Sequence, residues 1–492
     1  MAISDSIILI SGVLLMAGVF SNKISAKFNL PTLLLFLGAG IVAELLLPFN
    51  GDSYAHHINF FGIIAMCFIL FSGGCETSLE NIRPVALRGL ALAVPGVILT
   101  ALLIGSGAYF ALGGKYPFSW CMLLGSIISS TDAAAVFSIL RGQGVGLKGK
   151  LKPLLEFESG SNDPTAAFLT LLMINIVLGK SGNFFIQVPM VIYQLGGGIL
   201  LGYAFGKLSQ KLYHIRLAHE GLYFVTGVAC VLLCYGISQL LRTNGFMACY
   251  VCGVMLNSAR YNYQKALTKF YNGIAWLMQV GLFTVLGFLA NPEDLIVPQV
   301  WVTGIVLGLL LMFIARPVAV FICLAGSEFS FREKLMVSWV GIRGAAPIVL
   351  ATFPLAAGVE NADFMFRIIF FMVIISILLQ GGLLMPVARW LKVAKTAKRT
   401  YAPAPLELEV THHSGNQEMR EFHLGETHSF IGKTLAQIAL PQGVLVTMIR
   451  RNNTFIPPRG DTEIKAGDGM LIMAEITLLD EISEKYFKDR SI

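Results

Sequence analysis

Long apolar runs, each near the ~20 residues that span a bilayer as a helix, recur along most of this chain and constrain it more than any other feature. Read between charged residues or Pro/Gly breaks, they fall at 6–21, 31–47, 58–74, 84–111, 119–140, 151–178, 186–207, 219–241, 245–257, 270–290, 297–324, 333–354 and 364–389. Hydrophobic residues make up 55% of the 492 and charged ones 13%, with a mean hydropathy of +0.71. A soluble domain carries about 25% charge, so this chain cannot cover itself with a polar surface. One large soluble core is excluded as well, because domains beyond ~250–300 residues split and keep polar faces. A multi-pass membrane protein of about thirteen spans is expected.

Basic residues sort the loops between these runs into two kinds. Alternate loops hold Lys23 and Lys27; Arg83 and Arg88; Arg141, Lys148, Lys150 and Lys152; Lys207, Lys211 and Arg216; Arg260, Lys265 and Lys269; Arg332 and Lys334; and the cluster from Arg389 to Arg399. The intervening loops hold only Lys115, Lys180 and Arg242. Positive charge marks the cytoplasmic side, which places the N-terminus outside and the C-terminus inside. Residues 1–5 lack a basic leader and the first run meets no small-residue cleavage pattern, so no cleavable signal peptide is expected. An odd span count fits two inverted six-helix repeats joined by a linking helix. The run 186–207 is the expected linker, and its Gly198, Gly202 and Gly206 are read as close helix packing. The eight cysteines all lie in or beside apolar runs, so Cys249-x-x-Cys252 is read as small apolar filler rather than a metal or redox pair.

Ionisable groups inside apolar spans are costly and mark ion or proton paths. Ser129-Ser130-Thr131-Asp132 interrupts the run 119–140 and predicts a helix that unwinds at mid-membrane, with Asp132 offsetting the dipole of the second half or capping it. The next run carries Glu158-Ser159-Gly160-Ser161-Asn162-Asp163-Pro164. Glu158 and Asn162 share a helix face, whereas Asp163 is turned well away from Glu158, so the two carboxylates need not share one site. A carboxylate in a wet cavity holds either a proton or a cation, which is the basis of exchange. In the second half, Arg316-Pro317 lies inside 297–324, and Gly341-Ile342-Arg343-Gly344-Ala345-Ala346-Pro347 breaks 333–354 near its middle. Buried guanidinium groups stay charged and need anions. Glu158 is paired with Arg316 and Arg343 is placed near Asp132, with exchanged partners as the alternative. Glu76, at the cytoplasmic end of the third run, lines an inner cavity or sits in the interface. Glu44 is read as interfacial, and His56 and His57 as solvated loop residues without a metal.

At these residues the chain resembles the NhaP-type monovalent cation/proton antiporters, relatives of the sodium/proton exchangers, over roughly residues 5–390. The resemblance rests on Thr131-Asp132, on Glu158 with Asn162-Asp163, on Arg316, and on Gly-x-Arg-Gly at 341–344. It implies an all-α polytopic membrane fold with crossed broken helices. It further implies that Asp163 carries the proton or the cation (K⁺ or Na⁺) and that Asn162 positions it. Thr131 and Ser159 would add oxygens, Asp132 would balance the helix crossing, and Glu158 would bridge to a buried arginine. It places Glu76 at an inner funnel, although the run Ser72-Gly73-Gly74-Cys75 departs from the family's usual one. The Asn-Asp type implies electroneutral exchange by a homodimer whose transport bundle moves against a dimerisation scaffold.

Beyond residue 395 the composition changes, with a linker at 396–405 marked by Pro403 and Pro405, and a polar module at 406–492 whose short strand-like runs predict a small α+β or mostly β domain. This stretch resembles the TrkA-C module through Ile431-Gly432-Lys433-Thr434-Leu435, Ile449-Arg450-Arg451, Ile456-Pro457-Pro458 and Ala466-Gly467-Asp468. The resemblance implies a cytoplasmic regulatory domain that binds a small ligand, a cyclic dinucleotide in some relatives, and it favours potassium as the exchanged cation. No cofactor and no nucleic-acid partner is implied. Sodium/proton exchange by the same mechanism is the alternative. A potassium channel would need a carbonyl-lined filter such as Thr-Val-Gly-Tyr-Gly, which does not occur. A membrane enzyme would need a buried nucleophile–base pair or metal-ligand cluster, and the spans supply neither.

Overall fold

The structure is a computed structural model of the chain. It describes residues 12, 16, 32–46, 55–142, 145–180, 184–215, 217–259, 261, 263–289, 297–396, 417–424, 428–451 and 454–486. Most of the first expected span lies outside these residues, as do Lys23, Lys27, Arg216, Arg260, Arg399, Pro403, Pro405 and the side chains of Glu44, His56, Arg141 and Lys265. The chain divides into two compact units, Met1–Arg399 and Thr400–Ile492.

The first unit is helical, because in lipid every backbone polar group must be satisfied within its own segment. Its elements are α1 (Thr32–Leu46), α2 (Ala55–Glu76), α3 (Ala86–Ala111), α4 (Phe118–Ile128), α5 (Ala133–Gly142), β1 (Val145–Leu147) and α6 (Leu151–Val177). They continue as α7 (Phe184–His214), α8 (Gly221–Leu240), α9 (Gly245–Asn257), α10 (Gln264–Leu289), α11 (Pro298–Cys323), α12 (Phe331–Trp339), α13 (Ala345–Ala356), α14 (Ala362–Trp390) and β2 (Ala394–Thr396). Among the described residues, five helices are long and apolar enough to cross a membrane: α2, α3, α8, α11 and α14. This is a helical membrane-protein fold with a β-rich C-terminal module.

The two expected breaks are present: α4 and α5 are separated by residues 129–132, and α12 and α13 by residues 340–344. The Asp132 N–H donates to the Ile342 carbonyl at 2.8 Å, so the two interrupted stretches meet and satisfy each other's freed backbone. π-turns at 92–96, 311–315 and 376–381 interrupt α3, α11 and α14. The first contains Pro95, and the second directly precedes Arg316-Pro317, where a missing N–H forces the ladder to re-register. In α7 a Cβ at Gly198 would stand 2.6 Å from the Asn244 carbonyl and one at Gly202 2.5 Å from that of Ala248. The small residues thus let α9 approach, in keeping with their reading as packing positions. All eight cysteines are free thiols, seven of them buried in the helical core.

At one end of this unit β1 pairs antiparallel with β2, with Gly146 opposite Lys395. Thr396, the first residue of the expected linker, therefore still belongs to a strand. The second unit is an antiparallel sheet of β3 (Gln417–His423), β4 (Leu445–Arg451), β5 (Thr454–Ile456) and β6 (Gly469–Glu475), in the order β3-β6-β4-β5. Helix α15 (Ile476–Tyr486) supplies Leu479 and Ile482 to the buried set, and Leu479 packs with Phe422, Phe430, Ile449 and Ile472.

Candidate cation site

Helix α6 carries Glu158, Ser159, Asn162 and Asp163. Glu158 is enclosed, and Arg316 Nη2 from α11 stands 2.6 Å from its Oε1. Arg316 Nη2 also lies 3.4 Å from the Val337 carbonyl of α12, to which it donates. The contact is one of charge more than of hydrogen-bond alignment: both Glu158 oxygens and Arg316 Nε lack a well-directed partner. Gly341 makes room for this arginine, since a Cβ there would press on Arg316 Nε at 3.0 Å.

Through Ser159 and Asn162, α6 is stitched to the break between α4 and α5. Ser159 Oγ donates to the Thr131 carbonyl at 2.8 Å and accepts from the Ala133 N–H at 3.0 Å. Asn162 Nδ2 donates to Thr131 Oγ1 at 2.6 Å. Asp132 Oδ1 accepts from the Ala135 N–H at 3.0 Å, the geometry of a helix cap. Arg343, fully buried, donates from Nη1 to the Ser130 carbonyl, and its backbone N–H donates to Ser376 Oγ at 3.0 Å. Its guanidinium is thus anchored on a freed carbonyl of the first break, while Asp132 faces the neighbouring Gly344. A Cβ on Gly344 would lie 1.8 Å from Asp132 Oδ2, so only glycine lets the two breaks close on one another.

Asp163 sits beside this crossing, with Ser130, Asp132 and Arg343 as its electrostatic neighbours. Its Oδ1 and the Oδ1 of Asn162 are enclosed and have no hydrogen-bond partner among the described residues. An unsatisfied buried acceptor costs about 1–3 kcal/mol. Oxygens of this kind replace the hydration shell of a monovalent cation, and the carboxylate can instead take a proton. Ser159 is less free than the others, both its donor and an acceptor position being committed to Thr131 and Ala133.

Glu76 is exposed and accepts from Asn272 Nδ2 at 2.8 Å, while Asn272 Oδ1 accepts from Ser72 Oγ at 2.6 Å. This polar chain joins α2 to α10, and the sequence offered no spacing signal for Asn272. In the C-terminal module, Arg451 forms a two-pronged contact with Asp468, Nε to Oδ1 at 2.9 Å and Nη2 to Oδ2 at 2.7 Å. That hydrogen-bonded carboxylate holds the guanidinium proton above its ordinary affinity. Asp468 also accepts from the Lys465 N–H at 2.8 Å, so both residues are spent on tying β4 to the turn before β6. Arg450 pairs in register with Phe455 and Ile449 with Ile456, after which Pro457 and Pro458 end the strand.

Comparison with known proteins places these features in a lineage. The transmembrane sodium/hydrogen exchanger family matches residues 11–390, and the TrkA-C domain matches residues 419–486. The K(+)/H(+) antiporter NhaP2 of Shewanella sp. strain ANA-3 is 33% identical over 98% of this chain and 83% of its own length. The K(+)/H(+) antiporter NhaP of Alkalimonas amylolytica is 32% identical over 97% of this chain and 82% of its own. The solved sodium proton antiporter MjNhaP1 of Methanocaldococcus jannaschii superposes with a TM-score of 0.66 at 25% identity, over 78% of this chain and 99% of that one. By sequence and by fold, this chain belongs to the sodium/hydrogen exchanger family and carries a C-terminal TrkA-C domain.

Proposed function

We propose that this protein exchanges K⁺ for H⁺, one for one, across the cytoplasmic membrane by alternating access at Asp163. The observation that carries the reading is the enclosed, unpartnered Oδ1 of Asp163, next to the likewise unpartnered Oδ1 of Asn162. Glu158 faces Arg316 and Asp132 caps α5, which leaves Asp163 as the carboxylate available for exchange. When Asp163 takes a proton its charge is cancelled; when it takes K⁺ the charge is cancelled equally. The bundle therefore crosses the membrane with the same net charge in both directions, and the exchange is electroneutral. Asn162 and Thr131, bonded to each other, orient oxygens toward the cation, and Ser159 holds the broken helix in place. Glu76 and Asn272 line the approach from the cytoplasm.

The potassium antiporters that align with nearly the whole chain, TrkA-C module included, support potassium as the cation. Sodium/proton exchange is the second reading, favoured by 29% identity to Na(+)/H(+) antiporter 1 of Methanocaldococcus jannaschii over 72% of this chain. The expected topology completes the proposal: thirteen spans in two inverted repeats, N-terminus outside, C-terminus cytoplasmic, and assembly as a homodimer. The TrkA-C module regulates exchange in response to a small ligand, of which a cyclic dinucleotide is one candidate.

Proton movement in proteoliposomes, with K⁺ and Na⁺ added separately, tests this. A potassium response that survives collapse of the membrane potential is expected. A sodium-only response would move the substrate to the second reading, and a response that vanishes with the potential would rule out electroneutral exchange.

A further inference from the structure

The carbonyl of Pro164, one residue past Asp163, is held from outside its own helix. Asn244, buried at the start of α9, donates from Nδ2 to Pro164 O at 3.0 Å. Its Oδ1 accepts from the Met247 N–H at 3.0 Å, and its main-chain N–H donates to the Gln194 carbonyl of α7 at 3.0 Å. Asn244 is therefore fixed by α7 and α9 before it reaches α6. Six residues further on, Tyr250 lies against Gly160, where a Cβ would meet the ring at 2.1 Å. Gly160 and Pro164 are four apart and share a helix face, whereas Ser159 and Asn162 bond to the broken helix on another. Helix α9 thus braces α6 at two levels that bracket Asp163. A brace is needed there because Pro164 has no N–H, which leaves the Gly160 carbonyl without its helical donor and loosens this turn. Asn244 also lines a cavity of about 520 Å³ with Gln194, Arg242 and, from α6, Ala167.

We infer that Asn244 is a positioning residue for exchange at Asp163, its amide fixing the depth and rotation of the α6 turn against α7 and α9. The inference rests on the proposed antiport at Asp163 and adds a residue outside the crossing on which the site depends. Shifting this turn changes how Asp163 stands toward Ser130, Asp132 and Arg343, and so alters both cation affinity and proton competition.

Two variants separate this role from simple capping. Asn244→Ser keeps an oxygen that can cap Met247 but is too short to reach Pro164. Asn244→Asp keeps the size and the cap but cannot donate. In full-length protein in proteoliposomes, each is expected to raise the apparent KM for K⁺ roughly five- to tenfold, the scale of one buried hydrogen bond. The pH of half-maximal exchange is expected to shift as well, with thermal unfolding of the Ser variant near that of the wild type. Unchanged KM and pH midpoint in both variants would overturn the inference, and so would loss of folded protein in both, which would make the residue purely structural. A wild-type chain silent toward K⁺ and Na⁺ would instead sink the antiport reading, and this inference with it.

Discussion

Buried charge in this protein is handled by two different devices at the level of single residues. Glu158 and Arg316 cancel each other, and breaking such a pair by removing one partner costs about 3–5 kcal/mol, because the other is left buried and unpaired. Glu158→Gln is accordingly expected to lower thermal stability in detergent by that order. Replacing both residues with apolar groups of similar size should restore most of it, since the desolvation cost disappears with the charges. A single and a double variant of equal stability would show that the pair carries no such energy. Asp163 is the opposite case, a carboxylate with one enclosed oxygen left without a hydrogen-bond partner. Asp163→Asn keeps the size and removes the exchangeable charge, so ion-driven proton movement is expected to vanish while unfolding temperature holds or rises. These acids and arginines were legible in the sequence because so few charges occur inside its apolar runs. Their hydrogen-bond partners were not: Asn272 and Ser376 are ordinary polar residues whose meeting with Glu76 and Arg343 depends on how separate helices pack.

At the scale of elements, the two broken helices were legible because polar or glycine-rich tetrapeptides at membrane depth interrupt the apolar run and free backbone groups that need partners from elsewhere. The chain alone did not show which groups would meet. Asp132 against Gly344 and Arg343 against the Ser130 carbonyl are products of the crossing angle. Gly344 is not in the left-handed backbone region, so its requirement is one of space alone. Gly344→Ala places a methyl group on the Asp132 carboxylate and forces the cap of α5 to break. A fall of at least about 1 kcal/mol in stability, the value of a lost cap, and a severe loss of exchange are expected. Gly382→Ala in α14 meets nothing within 4 Å and serves as the control, with both properties unchanged. Equal behaviour of the two variants in unfolding and transport assays would mean that the crossing tolerates separation. The strands β1 and β2 were invisible to sequence reading for a different reason: three residues carry no usable periodicity, and their pairing joins positions about 250 residues apart.

Across the whole molecule, that small sheet has the greatest reach. β1 lies in the connection between α5 and α6, with three residues between it and α6. β2 ends at Thr396, where the chain leaves for the C-terminal module. The Lys148 N–H donates to the Val393 carbonyl and Lys148 Nζ to that of Lys392, both at 3.0 Å, which extends the ladder beyond the strands. If the proposed regulation by the module acts by pulling on residue 396, the segment joining Asp132 to Glu158 would be the first to respond. Two full-length variants test this route. Lys395→Pro removes a backbone donor from β2, and Asp468→Ala removes the anchor that ties Arg451 into the module. If the strand pair carries the signal, each variant changes the exchange rate and the double variant changes it no further, a coupling that a double-mutant cycle measures directly. Rates that simply multiply would assign regulation to a different path, because independent perturbations at separated sites add in free energy.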